Sequence, residues 1–142
     1  MTEQNYKNHR QIVFPYHILT GLAIIALLIG AIRNAIYSDR DNFYSATLII
    51  LVALIFISFY IYSRAFALKA QDRAIRAEEN FRHYMLTNKL MDGRLNLSQV
   101  IALRFASDEE FPALAQKAAA EKLPAKEIKK QIKNWRGDYY RV

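Results

Sequence analysis

FYSATLIILVALIFISFYIYSRAFALKAQDRAIRAEENFR, Phe43 to Arg82, decides the fold. From Phe43 to Ser63 it carries no charged residue. About 20 such residues cross a hydrocarbon core of about 30 Å. From Arg64 onward charge appears, yet no glycine or proline marks the change. Ala, Leu, Lys, Gln, Arg, Glu and Met dominate the continuation, and all favour helix. One helix is therefore expected to run from an apolar span into water, to about Leu90. The part beyond Ser63 is a rod of about 27 residues, about 40 Å at 1.5 Å per residue. Asp72–Arg76 and Glu78–Arg82 are spaced four apart in the better orientation for helix ion pairs, and Glu79–His83 share that spacing. Leu68, Ile75, Phe81 and Met85 make a broken apolar stripe, with Arg82 where the stripe would continue. The rod is either a solvated spacer or a pairing helix that buries Leu68 and Ile75 against a partner.

Working back toward the N-terminus, Ile12 to Ile32 is a second stretch without charge. Each span must satisfy its own backbone in lipid, so two spans with a tight connection predict a helical hairpin. The loop, Arg33 to Asn42, holds two basic and two acidic residues, Arg33 and Arg40 beside Asp39 and Asp41. The other side holds Lys7, Arg10, Arg64, Lys69, Arg73, Arg76 and Arg82. The positive-inside rule then puts both termini in the cytoplasm. Phe14, Tyr16, Tyr37, Phe43, Tyr44, Phe59, Tyr60 and Tyr62 lie near the span ends, where amphipathic rings suit the headgroup zone. No acid or base sits at mid-depth, which argues against a proton relay or transporter site. Ala23, Ala26, Gly30 and Asn34 form a strip of small side chains on span one, and Ala46 and Ala53 a weaker one on span two. Such strips allow close helix contact, and packing of the two spans on each other is favoured over an oligomer seam.

The 142-residue chain carries a formal charge of +7, from 20 Lys+Arg against 13 Asp+Glu, and its excess positive charge lies outside the spans. Beyond Asp92-Gly93, a turn signal, residues 95–142 predict three short helices. Ser98 would cap one over Gln99–Phe105. SDEE, Ser107 to Glu110, has capping-box spacing, although Pro112 allows a start at Phe111 and an end near Lys122. Pro124 opens the third helix, which Gly137 closes. Ile128, Ile132 and Trp135 share one of its faces, and Lys126, Lys129, Lys130, Lys133 and Arg136 the other. Val100, Ile101, Leu103, Phe105, Phe111 and Leu114 would complete a small core. A unit of this size is marginal alone, so it is expected to dock on its own membrane-proximal helix, a second copy or another protein.

YKNHR near the start, RAFALKAQDRAIRAEENFRHYML after the second span, IALRFASDEEFPALA, and KEIKKQIKNWRGDYYRV at the end resemble a family of small two-span bacterial membrane proteins of unknown function, of the type common in the Bacteroidota. The resemblance covers nearly the whole chain. It implies a membrane location and a bacterial origin, for which the inner membrane is the expected site, and supplies no activity, cofactor or catalytic residue.

Few chemistries fit the remaining residues. The absence of cysteine excludes disulfides, thiol nucleophiles and Cys-based metal sites. The glycines are isolated, so no phosphate-binding loop is present. His9, His17 and His83 lack metal-ligand spacing. Asp108, Glu109 and Glu110 suit a helix N-terminus. We therefore expect no enzyme, catalytic residue, cofactor, metal or small-molecule substrate. The expected fold is all-α: a transmembrane hairpin at residues 1–63, with spans at about 12–32 and 43–63, a juxtamembrane helix at 64–91 and a helical unit at 95–142. The expected role is a membrane-anchored interaction or scaffold module. It would engage itself or another membrane or cytoplasmic protein, with Leu68, Ile75, Ile128, Ile132 and Trp135 as the candidate partner face. The alternative is a membrane-tethered binder of anionic lipid or nucleic acid through Lys126, Lys129, Lys130, Lys133 and Arg136, with Trp135, Tyr139 and Tyr140 available for stacking. Nucleic acid is the less favoured of these ligands.

Overall fold

The computed structural model describes residues 4–9 and 11–139. Arg10, counted above for topology, and Tyr140 lie outside the described residues. Among those described, the chain is all-helical and forms no strand. A wide π-helical turn over Pro15–Thr20 leads into α1, Gly21–Tyr37. Next come α2 (Arg40–Thr87), α3 (Leu97–Leu103), α4 (Phe111–Glu121) and α5 (Ala125–Gln131). The chain divides into two compact units, residues 12–67 and residues 1–11 with 68–142. Residues 68–91 belong to the same unit as the C-terminal helices.

In the first unit, Pro15–Tyr37 and Arg40–Thr87 are both long and apolar enough to cross a membrane. Only Ser38 and Asp39 separate α1 from α2, a tighter connection than the ten-residue loop expected. The Ser38 hydroxyl donates to the Asn34 carbonyl at 2.6 Å, and Asp41 sits in the first turn of α2, where the helix dipole favours an anion. Burial along α1 follows Gly21, Ile24, Leu28, Ala31 and Ala35, and along α2 it follows Ala46, Ile50, Ala53, Ile57 and Tyr60. Both sets alternate steps of three and four, the spacing of a knobs-into-holes seam. Ala46 and Ala53 are fully buried, on the seam as the small-residue strip implies. Ala23, Ala26, Gly30 and Asn34 are exposed, which corrects the expectation that they face the other span.

Tyr60 accounts for this rotation. Its ring stacks on Tyr16 with centroids 4.8 Å apart, and its hydroxyl donates to the His17 carbonyl at 3.2 Å. The same hydroxyl oxygen would lie 3.4 Å from a Cβ at Gly21, so glycine gives it room. The Tyr16 hydroxyl donates in turn to the Tyr60 carbonyl. Two rings that suit a headgroup zone on composition are therefore also an interhelical lock. Ala53→Leu is expected to overpack the seam and cost about 1–3 kcal/mol. Ala26→Leu, on the open face, should be near neutral. Thermal denaturation of the two variants in detergent checks the contrast.

The second unit is built on caps and a core of mixed large and very small side chains. Asn96, not Ser98, caps α3. Its carboxamide accepts from Gln99 N at 3.0 Å, while the Gln99 side chain accepts from Asn96 N at 2.8 Å, a reciprocal box that satisfies two open donors. Gln99 is buried and also donates to the Leu123 carbonyl at 2.8 Å. The SDEE capping box does not form, because α4 starts at Phe111 and the motif lies three residues out of phase. Glu110 instead accepts from the backbone N–H groups of Lys133 and Asn134 at 3.0 and 3.1 Å. Helix α4 ends at Lys122, which holds a left-handed φ of 52°. A side chain there costs about 1–2 kcal/mol against glycine, offset in part by glycine's larger chain entropy. Lys122→Gly is therefore expected to stabilise the unit by up to about 1 kcal/mol, seen as a rise in its thermal midpoint.

Helix α5 is shorter than expected. It stops at Gln131, and Ile132 turns extended with ψ 122°. The segment after it pairs with the residues that follow α3. Ser107 N donates to the Asn134 carbonyl at 3.1 Å, and Arg136 N to the Phe105 carbonyl at 2.7 Å. The expected core residues Val100, Leu103, Phe105, Phe111, Leu114, Ile128 and Ile132 are buried, while Ile101 and Trp135 are half-buried. Leu95 and five alanines, Ala102, Ala106, Ala115, Ala118 and Ala119, complete the cluster. These alanines let short helices approach closely enough to pack without voids.

Candidate functional site

The second unit closes around Arg82. Helix α2 carries Ile75 and Glu79 on its buried face, and Arg82 lies one turn further along the same face. Its Nη1 donates to Glu79 Oε2 at 2.9 Å, its Nε to Asp108 Oδ1 at 2.7 Å and its Nη2 to the Ala106 carbonyl at 2.7 Å. The guanidinium also lies over the Phe111 ring, 4.5 Å from its centroid. Planarity and five donors make arginine suited to such a fork. The side chains of Arg82 and Glu79 retain only 11% and 8% of their exposure. The expected pairs Glu78–Arg82 and Glu79–His83 give way to this geometry. His83 faces the Lys89 carbonyl at 3.0 Å and the edge of Phe111.

Beside this clamp lies a cleft of about 550 Å³, between α2 and the segment after α5. Gln71, Ala74, Ile75, Glu78 and Glu79 form one wall, and Arg104, Arg136, Gly137, Asp138 and Tyr139 the other. Arg104 is buried, paired with Asp138 at 3.2 Å and set over the Phe105 ring at 4.7 Å. Among the described residues the lining brings together three carboxylates, two arginines and a tyrosine. Among the described residues no three His, Asp or Glu side chains gather as metal ligands.

The N-terminal segment is part of the same unit. Gln4 exchanges two hydrogen bonds with the backbone of Asp138, at 2.8 and 3.0 Å. His9 sits between Phe105 and Trp135, with centroids 5.6 and 5.7 Å away. Its Nε2 lies 3.1 Å from Lys129 Nζ, and its Nδ1 lies 2.9 Å from the Tyr6 carbonyl. This embrace between chain ends has no local sequence signature.

The candidate partner face is consumed internally. Ile75, Ile128 and Ile132 are buried, and Leu68 and Trp135 half-buried. Ile128 and Ile132 lie in the core that α3, α4 and α5 share, with Trp135 packed against it. The basic face is only partly open. Lys126, Lys130, Lys133 and Arg136 are exposed, but Lys129 turns toward His9, and Lys130 bridges Glu127 at 2.9 Å. That carboxylate holds the Lys130 ammonium above its ordinary pKa. On the acidic side, the Ser107 hydroxyl depresses Glu109. The Asp92 carboxylate, bound by the Arg94 side chain and backbone N–H, falls to about 2. In Arg94→Ala, NMR titration should find the Asp92 midpoint raised toward 3.8, its ordinary value. Since the folded pKa is the lower one, whatever the clasp contributes is complete above that ordinary value and is lost as pH falls through about 2.

No curated protein and no solved structure matches the chain. A family model described as a family of unknown function (DUF6526) matches residues 1–142, and the chain belongs to that family.

Proposed function

We propose that this protein is a membrane-anchored interaction module, with a helical hairpin in a bacterial inner membrane and a helical head in the cytoplasm. The observation that carries the reading is the apolar girdle of the first unit. Leu22, Ile25, Ile29 and Ile32 on α1, and Leu48, Leu51, Ile55 and Phe56 on α2, are all exposed. A soluble protein rarely leaves so large an apolar surface uncovered, whereas lipid solvates it. A second observation supports ends that share a compartment. Residues on both flanks of the hairpin fold into one compact unit, tied by Gln4 to Asp138. A folded unit cannot straddle a bilayer. This agrees with the charge asymmetry and does not depend on it.

The test uses the full chain in lipid nanodiscs. Capture of one protein species that survives added salt supports the interaction module. Binding to RNA, DNA or anionic vesicles that falls steeply with salt would instead favour a basic-face binder. The two engaged lysines on α5 weigh against that outcome.

A further inference from the structure

Helix α2 carries a second apolar stripe that is exposed along its length, with Ala74 and the neighbouring Glu78 at the rim of the cleft. Ala70, Ala74, Ala77, Phe81 and Tyr84 follow steps of four and three, the a/d pattern of a two-stranded coiled coil. Ala77 and Phe81 each lie two residues beyond Ile75 and Glu79, which turns them about 200° from the face that meets the head. All five are exposed, Phe81 at 65% and Tyr84 at 47%. We infer that this stripe pairs with the same stripe of a second copy, as a parallel dimer. The inference rests on the membrane-anchored reading above.

Charge selects the occupant. Arg73 and Glu78 are exposed and flank the stripe on opposite sides. They stand five residues apart, the offset at which flanking charges meet across a parallel two-stranded coil. Two copies therefore form two symmetric Arg73–Glu78 bridges, one on each side of the seam. The membrane supplies the orientation. Two copies of one hairpin, inserted by the same rule, present α2 in the same sense, so the parallel register that makes those bridges is the one available. Confinement to a bilayer also raises their effective concentration. The alanines allow close approach, and Phe81 and Tyr84 supply the buried area near the far end.

The natural chain has no cysteine, so single cysteines report the seam without background. In native membranes, full-length Ala77→Cys should form a disulfide-linked dimer under mild oxidation. Arg76→Cys, off the seam, should not. Arg73→Glu added to Ala77→Cys should abolish the crosslink, and the further exchange Glu78→Arg should restore it by reversing both bridges. That rescue separates pairing from a folding defect. Monomers at every protein-to-lipid ratio, with the chain resistant to carbonate extraction, overturn the dimer and leave the membrane reading intact. A crosslink that ignores both charge changes, or one made only to a different protein, also overturns it. A chain released by carbonate overturns the membrane reading and the inference together.

Discussion

Replacing Arg82 by alanine is expected to destabilise the head by about 3–5 kcal/mol, because it strands a buried carboxylate. Glu79 is almost fully covered, and Arg82 lies within hydrogen-bond distance of it, of Asp108 and of the Ala106 carbonyl. Removing the guanidinium leaves the carboxylate without its counter-charge and the carbonyl without that donor. It also removes the cation over Phe111. Asp108 matters less, since its side chain is 61% exposed and water can replace the lost partner. The double variant Arg82→Leu with Glu79→Leu should lose clearly less than Arg82→Ala alone, because it buries no uncompensated charge. Denaturant titration of the full-length protein in detergent, followed by Trp135 fluorescence, measures both. Equal losses in the two variants would show that the ion pair itself, rather than the stranded charge, dominates.

Phe105→Ala should be as damaging, at about 3–5 kcal/mol. Phe105 is fully buried between Trp135, at 5.1 Å, and His9, at 5.6 Å. The guanidinium of Arg104 and the ammonium of Lys129 lie over its ring at 4.7 and 5.5 Å. Its carbonyl accepts from Arg136 N. It therefore joins α3, α5, the C-terminal segment and the N-terminal segment at one point. A small domain is stabilised by only about 5–15 kcal/mol in all, so this loss takes a large share. The expected signs are red-shifted Trp135 emission and release of residues 4–9 to proteolysis. Leu90→Ala, at a site 83% exposed, should change neither.

The parts of this fold legible in the sequence are those set by local periodicity. Uncharged runs announced the two apolar helices, and helix propensity without a breaker announced the continuation of α2. Pro112 and Pro124 marked the starts of α4 and α5 closely, because proline acts on its own turn. What was not legible depends on contacts distant in sequence. The end of α5 is set by extended pairing of Ser107 and Phe105 with Asn134 and Arg136, which no periodicity within residues 124–137 reveals. The rotation of α1 is set by Tyr60 against Tyr16, His17 and Gly21, so small side chains alone pointed to the wrong side of that helix. Arg82 is the instructive case. It reads as a flaw in an apolar stripe, and it is the residue through which that stripe holds the head. A charged residue at a stripe position, with Glu three residues before it, is a signal for a clamp as well as for a break.

The account depends on the bilayer most of all, and cysteine accessibility in intact cells tests that dependence directly. Lys7→Cys, Asp39→Cys and Ser98→Cys place one thiol each before the hairpin, at its turn and in the head; all three sites are exposed. With a membrane-impermeant maleimide, Asp39→Cys alone should label until the cells are opened, after which Lys7→Cys and Ser98→Cys should label too. Labelling of Lys7→Cys or Ser98→Cys from outside, or recovery of the chain in the soluble fraction without detergent, would contradict the account.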